Sequence, residues 1–414
     1  MRIRIYPALA AAGVIAIAMF NTTVGVYYQG KTAWALPDDL WATMVAAQRL
    51  LHLHVSGLYT PPTGLISFPG TALILVPVVA LMDAAGISLH AQSASNPHPV
   101  SWLLAGPYEI AISCLALCAA DALAIRLGAS RVRRALLALA GAAAVWSVSA
   151  RWGHPEDAVA VGLLLYGVLA LDDGRRTRAA WLTGAALLVQ PLVVLALPVI
   201  VVAVWAGGEG RLRGLPGFCV RAALPAAAGV GIAAAANWHA TFTALTDQPN
   251  YPAIDHRTPW TSLSPHMAGG AVAAGPGRLA AIGCACACGV GYAFWRRRSR
   301  ADALPWLLWW VALSLALRCV FESVMVSYYL WPTLQVSLIV STRRLSRLIV
   351  TGALTTAVTF GSQTQSQGPW LWWSLMTAGL AATLACAGTA GPPARGQPPS
   401  PGQVPATVSG SLES

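Results

Sequence analysis

The chain has 414 residues, of which 56% are hydrophobic and 10% are charged, and its mean hydropathy is +0.60. A soluble domain carries about 25% charged residues, so this composition excludes a water-soluble globular protein. The formal net charge of +11 would suggest nucleic acid as a partner in a soluble chain. Here the arginines stand in short clusters between apolar runs, as in multi-pass membrane proteins, and no nucleic-acid partner is predicted.

The apolar runs predict an all-α, polytopic transmembrane helix bundle. A span needs about 20 residues, so we expect about 11–12 membrane helices plus one re-entrant or interfacial helix. The N-terminal run is interpreted as an uncleaved first helix. The candidate spans cover residues 7–24, 102–125, 135–150, 158–171, 180–205, 222–239, 279–295, 304–320, 324–341, 348–360 and 369–388.

Arginine placement predicts which loops face the cytoplasm. The arginine-rich segments are Arg2/Arg4, 126–134, 175–178, 211–221, 296–300 and 343–347, and the arginine-poor ones are 26–101, 151–157, 240–276 and 362–368. This alternation predicts a plasma-membrane protein with both termini cytoplasmic and one transmembrane domain over residues 1–390. Residues 391–414 are rich in Pro, Gly and Ser and are expected to form a disordered cytoplasmic tail.

Two apolar stretches need special paths to keep this alternation. Residues 71–89 contain Pro77 and Asp83 and follow Pro69, so we expect a re-entrant or surface helix that does not cross. Residues 180–205 have arginines at both ends, so the chain must enter the membrane from the cytoplasmic side and return to the same side. Gln190-Pro191 lies near the middle, and proline breaks a helix at the preceding residue.

The first outside loop, 26–101, contains an adjacent carboxylate pair, Asp38 and Asp39. They precede residues 41–56, whose apolar positions follow the helical period and predict an interfacial amphipathic helix. One alternative is that Asp38 is the N-cap of a helix beginning near Leu40. Both roles can hold, since one aspartate can cap the helix while the other acts in chemistry.

A second polar group on the same face is the turn containing His154, Pro155, Glu156 and Asp157. The plain interpretation is a helix start, because proline suits the first turn and acidic residues favour a helix N-terminus. However, a short link between two spans needs no such triplet of ionisable residues. The loop 240–276 contains Arg257 and His266 and is either solvated or a substrate-gating loop.

The last polar group follows the span 304–320. Arg318 and Glu322 are four residues apart and could pair on one helix face, yet charged residues within a membrane span are usually functional. Tyr328 and Tyr329 either line a site or belong to the interfacial aromatic belt. Glu109 could face the same site. Asp121, near the inner end of its span, is interpreted as structural, and Cys284, Cys286 and Cys288 as packing residues.

The order of these motifs resembles the polyprenyl-phosphate-sugar-dependent glycosyltransferases of the GT-C fold, especially bacterial mannosyltransferases of lipoglycan synthesis. The quoted elements are an aspartate before an amphipathic helix, Gly57-Leu58-Tyr59, the apolar segment from Phe68-Pro69 to Pro77, Gly153 to Ala158, Arg176 to Pro191, and Ser327 to Pro332. Gln190 departs from the pattern, since members of that family often have lysine there. That leaves Arg318 or Arg257 to neutralise the donor phosphate, and either Glu156 or Asp157 to match the family's carboxylate.

The resemblance implies transfer of a sugar, with mannose favoured, from a polyprenyl-phosphate donor to a glycolipid or polysaccharide at the extracytoplasmic face. Asp39 is the favoured base and Asp38 the next candidate. No cofactor is predicted, and a metal requirement is left open. The substrate-binding candidates are His154, Glu156, Asp157, Gln190, Arg257, His266, Arg318, Glu322, Tyr328 and Tyr329. The alternative hypotheses are a secondary transporter or lipid flippase, and a non-catalytic scaffold with the GT-C shape.

Overall fold

The architecture is that of a computed structural model. It describes residues 4–29, 37–63, 65–90, 100–207, 214–246, 248–253, 255–298, 303–363 and 370–388. The predicted tail at 391–414 lies outside the described residues, as do 91–99 of the first loop.

The described residues are 79% helical, which confirms the predicted all-α polytopic bundle. The α-helices are α1 (Ile5–Gln29), α2 (Asp38–Leu51), α3 (Pro69–Leu73), α4 (Val76–Ala84), α5 (Ser101–Arg126), α6 (Arg131–Val145), α7 (Pro155–Asp172), α8 (Arg176–Val189), α9 (Leu197–Ala206), α10 (Leu215–Ala236), α11 (Trp238–Thr246), α12 (Pro276–Arg298), α13 (Ala303–Phe321), α14 (Trp331–Ser341), α15 (Leu345–Gly361) and α16 (Leu371–Gly388). Two short strands, β1 (His256–Arg257) and β2 (Val324–Met325), pair antiparallel.

Helices long and apolar enough to cross a membrane account for six stretches of the described chain. They are Ser101–Arg126, Arg131–Arg151, Leu215–Ala236, Pro276–Arg298, Ala303–Phe321 and Leu371–Gly388, with shorter apolar helices at Ile5–Met19, Pro191–Ala206 and Leu345–Gly361. The span predicted at 324–341 becomes helical only at Trp331, because β2 and a 3₁₀ turn at Ser327–Leu330 precede it. The count of about 11–12 membrane helices stays a prediction.

The bundle has two chemically different ends. At one end, Asp121 of α5 accepts hydrogen bonds from Arg4 (2.9 Å) and Arg134 (2.6 Å), and Arg126 donates to Asp172 (2.6 Å). We call this the arginine end. Glu109 lies about 18 Å from Asp121 along α5, at about 1.5 Å rise per residue, and so marks the other end, which we call the pocket end.

Asp121 is 2% exposed, so we expect Asp121→Asn to leave the two arginines without an anionic partner and to destabilise the protein. The cost should be about 3 kcal/mol, the lower end of the range for a buried pair, because both arginines keep some solvent contact. Thermal unfolding of the detergent-solubilised protein, followed by tryptophan fluorescence, measures the effect. Asp172→Asn is the matched control, since its partner Arg126 is half exposed and little change is expected there. Equal stability of the two variants would contradict the account.

Helix α8 runs from the arginine end toward the pocket end. Its start, Arg176, lies against Gly214 just before α10, and Leu188 near its end lies against Gly229 within α10, so the two helices run in the same direction. Helix α8 ends at Val189, where Gln190 turns extended (φ −146°, ψ 118°) before Pro191. Because proline cannot supply the next backbone donor, the helix cannot continue.

The chain then returns through a 3₁₀ segment, Pro191–Ala196, and α9. Pro198 at the start of α9 packs on Gly289, and Trp205 at its end lies under the Arg297 guanidinium. Helix α9 therefore runs parallel to α12, which ends in arginines. This agrees with the predicted up-and-back path of residues 180–205.

The apolar stretch 71–89 was predicted not to cross the membrane. It contains most of α3 and all of α4. Helix α4 is about 14 Å long at about 1.5 Å per residue, too short for the hydrocarbon core. Val78, Val79 and Met82 of α4 are buried in the same apolar cluster as Leu40 and Met44 of α2. The first loop thus forms a helical layer that carries α2 onto the pocket end.

Candidate active site

A cavity of about 320 Å³ opens at the pocket end. Helices α2, α12 and α13, the turn before α7, the break after α8 and the 3₁₀ turn at Ser327–Leu330 surround it. Its polar lining consists of Asp39, Thr43, Ser67, Thr71, His154, Glu156, Gln190, Gln248, Asn250, Arg278, Arg318, Glu322, Tyr328 and Tyr329. The apolar lining includes Leu65, Phe68, Leu192, Val194, Leu195, Leu245, Ala281 and Ile282.

Helix α2 directs only one of the paired aspartates to this cavity. The helix begins at Asp38, and Pro37 occupies the N-cap position in an extended conformation without a side-chain cap. The alternative that Asp38 caps a helix starting near Leu40 is therefore wrong, because the chain is helical two residues earlier. Successive helical residues point about 100° apart, so Asp39 lines the cavity while Asp38 is exposed away from it.

The turn before α7 docks directly on the start of α2. Helix α6 ends in a π-helical turn, Trp146–Arg151, and Gly153 then adopts φ +67°. A Cβ atom on Gly153 would lie 2.8 Å from Cγ of Pro37 and 2.9 Å from Cβ of Leu40. Only glycine combines this backbone conformation with so close an approach, and the approach brings His154 to Asp39.

We expect Gly153→Ala to push this turn off α2. The variant combines left-handed backbone strain of about 1–2 kcal/mol with overpacking of about 1–3 kcal/mol. Gly128→Ala is the matched control, since Gly128 has φ +72° but nothing within 4 Å of the added Cβ atom. Thermal unfolding of both variants should show the larger loss in Gly153→Ala. A loss no greater than that of the control would mean that the contact with α2 contributes nothing.

The imidazole of His154 lies between two carboxylates. Its Nδ1 is 2.7 Å from Oε1 of Glu156, and its Nε2 is 3.4 Å from Oδ2 of Asp39. The ring stacks on Tyr328 with centroids 3.9 Å apart. Burial disfavours the charged ring, but Glu156 and Asp39 outweigh burial and raise the pKa of His154 to about 10. The contact with His154 in turn lowers the pKa of Asp39. At neutral pH the ring of His154 is therefore a cation that lies between Asp39 and Glu156.

Two guanidinium groups also line the cavity. Arg318 stacks over Tyr329, 3.5 Å from the ring centroid, with its Nη1 3.9 Å from Oδ2 of Asp157. Asp157 is fully buried and accepts a 2.7 Å hydrogen bond from Nε2 of Gln190.

The second guanidinium belongs to Arg278, whose Nη2 donates to Glu322 at 2.7 Å. The pairing of Arg318 with Glu322 considered from their spacing is therefore wrong. Helix α13 ends at Phe321, and the next residue, Glu322, still donates its backbone N–H to Arg318, but its carboxylate accepts from Arg278.

Most of the predicted site residues meet in this one cavity. Those that line it are Asp39, His154, Glu156, Gln190, Arg318, Glu322, Tyr328 and Tyr329. Asp157 lies behind the wall and contacts Arg318 and Gln190. Asp38, Arg257 and His266 do not line the cavity and are exposed. Arg257 pairs through its backbone with Val324 in the β1–β2 ribbon and His266 bridges to Val272, so both belong to the surface of the loop.

Several cavity residues were not singled out from the sequence. Arg278 is the main one. The one feature of the sequence that could have indicated it is that a single arginine begins an apolar run on the arginine-poor face. Asp255 does not line the cavity, but burial and the nearby charge of Asp39 raise its pKa to about 6. Glu109 does not line the cavity. It is 1% exposed, and among the described residues neither of its carboxylate oxygens has a hydrogen-bond partner.

The described part of the chain contains no group of three or more His, Cys, Asp or Glu residues arranged to hold a metal ion. The charged and titratable side chains that line the cavity include Asp39, Glu156 and Glu322, the imidazolium of His154 and the guanidinium groups of Arg278 and Arg318.

A scan against protein-family models and a search of curated proteins both found no match to this chain, so any functional assignment depends on the cavity itself and on the short motifs that line it.

Proposed function

We propose that the chain is an integral-membrane glycosyltransferase of the GT-C type. It moves a sugar, with mannose favoured, from a polyprenyl-phosphate donor to a glycolipid or polysaccharide acceptor at the extracytoplasmic face. One observation carries the proposal: a single cavity holds an accessible carboxylate, Asp39, together with two guanidinium groups, Arg278 and Arg318. Sugar transfer from a lipid phosphate needs both kinds of group, a proton acceptor and cations for the departing phosphate.

The reaction is a single displacement at the anomeric carbon. The acceptor hydroxyl oxygen forms the new bond to that carbon while the bond from the carbon to the phosphate oxygen breaks. The bonding electron pair leaves with the polyprenyl phosphate, and the hydroxyl proton passes to Asp39. The side chain of Asp39 is 77% exposed, so an acceptor can reach it, and its lowered pKa keeps it ionised and able to accept the proton.

Arg278 and Arg318 suit the departing phosphate. Guanidinium groups bind phosphate oxygens with paired, charge-assisted hydrogen bonds, and the charge on phosphate grows as the bond to carbon breaks. Arg318 is held flat against Tyr329, which fixes its direction. Gln190, which stands where the resembled family often has lysine, donates to Asp157 instead, so in this proposal the two arginines supply the positive charge.

The apolar part of the cavity suits a lipid-linked donor. Leu192, Val194 and Leu195 follow the break after α8, and Ala281 and Ile282 belong to α12. Ile282 lines the cavity and is 40% exposed, and Leu279 of the same helix is 75% exposed. A polyprenyl chain in the bilayer could therefore place its phosphate in the cavity without leaving lipid, which accounts for a transferase built on so many apolar helices.

The assay that tests the proposal uses the full-length protein in lipid nanodiscs. It is incubated with radiolabelled polyprenyl-phosphate mannose and a membrane glycolipid extract, and labelled glycolipid is the expected product. In sealed vesicles a transporter or flippase would move the labelled donor across the bilayer without forming a product. A scaffold would do neither, and either result would reject the proposed activity.

A further inference from the structure

The Asp39–His154–Glu156 contact leaves two of its three members with little surface for a substrate. The side chain of His154 is 12% exposed and that of Glu156 is 9% exposed, against 77% for Asp39. Both ring nitrogens of His154 face carboxylates, and one ring face is covered by Tyr328. The substrate can therefore reach Asp39 but not the ring nitrogens of His154, because Nδ1 is hydrogen-bonded to Glu156 and Nε2, which makes only the 3.4 Å contact with Asp39, is buried.

We propose that His154 and Glu156 are positioning residues for the base, rather than the substrate ligands that the sequence suggested. In this arrangement Glu156 orients the imidazolium of His154, and the imidazolium orients the carboxylate of Asp39 toward the acceptor hydroxyl. The inference rests on the proposed function, in which Asp39 is the proton acceptor.

The backbone supports such a role, because the three side chains come from the starts of two helices, α2 and α7, and His154 is the N-cap of α7. Asp39 lies in the first turn of α2, and Glu156 lies in the first turn of α7. His154 lies between them, and its backbone N–H donates to Val148 at 3.0 Å. The close approach of Gly153 to Pro37 and Leu40 sets the distance between the two helices. The three side chains therefore meet without any contribution from a ligand.

Electrostatics favour the same assignment, since His154 is surrounded mainly by acidic groups. The ionisable groups that act on its charge are Asp39 of α2, Glu156 and Asp157 of α7, Glu109 of α5, Asp255 of the loop before β1, and Tyr328 of the 3₁₀ turn.

The raised pKa of His154, to about 10, means that the imidazolium stabilises the fold fully below about pH 6.5 and that this contribution is lost as pH rises through 10. The lowered pKa of Asp39 means that its contribution is present above pH 3.8 and is lost as pH falls further.

The variants His154→Gln and Glu156→Gln test the proposal through the pH profile of kcat/KM. Glutamine at 154 can donate to Asp39 but carries no charge, so the acid limb should move to higher pH by about one unit. Glu156→Gln should move the alkaline limb to lower pH, because the imidazolium loses its partner. For both variants kcat should fall about tenfold or more with KM nearly unchanged. His266→Gln, an exposed histidine outside the cavity, is the control and should behave as wild type.

Raised KM with an unmoved pH profile would overturn the proposal, because that result describes a substrate ligand. The same holds if both variants keep full kcat.

A wild-type protein that transfers no sugar would instead reject the proposed function. A second readout of the positioning role is independent of activity. The pKa of the His154 imidazole, followed by NMR titration of its ring signals, should be lower in Glu156→Gln than in the wild type, with exposed His52, His54 and His266 as internal references. An equal pKa of His154 in the two proteins would also overturn it.

Discussion

Replacing Asp39 with asparagine is expected to abolish sugar transfer while the neighbouring substitution, Asp38→Asn, leaves it almost intact. Positioned general bases contribute about 100- to 10,000-fold to a rate, so Asp39→Asn should lose at least about 100-fold in kcat. Asp38→Asn should stay within about threefold of wild type, since surface substitutions of this kind have small effects.

The physical reason is the helical rotation between the two residues. Asp39 lines the cavity and lies 3.4 Å from His154, whereas Asp38 is exposed and does not line it. Asparagine has the shape of aspartate but cannot take the acceptor proton. The two variants share the same first helical turn, composition and lost charge, so the comparison isolates the direction of the side chain.

Initial rates of label transfer from polyprenyl-phosphate mannose, measured on proteins matched for folding by size-exclusion chromatography, give the comparison. Equal activity of the two variants would show that neither aspartate is the base. Loss of activity in Asp38→Asn alone would place the chemistry outside the cavity described here.

The second large effect is expected from removing the charge of Arg278. Removing one preorganised donor from a developing oxyanion costs about 100- to 1,000-fold in kcat, and we expect Arg278→Gln to fall in this range. The single variant leaves Glu322 without its partner at 2.7 Å. The double variant Arg278→Gln/Glu322→Gln therefore removes the pair together, so that lost activity can be separated from an unpaired buried carboxylate.

Arg257→Gln is the matched control for Arg278, because Arg257 is exposed and does not line the cavity. Binding of farnesyl phosphate, a short polyprenyl phosphate, provides a readout that needs no catalysis. It should weaken in both Arg278 variants and stay unchanged in Arg257→Gln. If the double variant binds and turns over like wild type, Arg278 does not contact the phosphate.

The helices could be predicted because hydropathy and length determine them directly. Pro191 in a long apolar run predicted the break between α8 and α9, and the polar interruptions in 71–89 predicted that α3 and α4 would not form a crossing helix. The start of α14 was placed too early because β2 and a 3₁₀ turn are as apolar as a span. Composition alone does not distinguish an apolar loop from an apolar helix.

The candidate site could be predicted only where sequence neighbours share a turn. The His154–Glu156 contact spans two residues, and its motif was visible. The choice between Asp38 and Asp39 depends on the residue at which α2 begins, and pattern analysis places a helix end only within a few residues. Arg278 was missed and Arg257 preferred, because their directions are set by long-range contacts, with Glu322 for Arg278 and with β2 for Arg257.

The measurement that tests the central claim most directly follows both halves of the donor in one reaction. Polyprenyl-phosphate mannose labelled separately in the sugar and in the phosphate is given to the full-length protein with the glycolipid acceptor. The account predicts one polyprenyl phosphate released for each sugar attached, in the wild type and not in Asp39→Asn. Transfer that persists undiminished in Asp39→Asn, or labelled donor that crosses the bilayer with its sugar still attached, would contradict it.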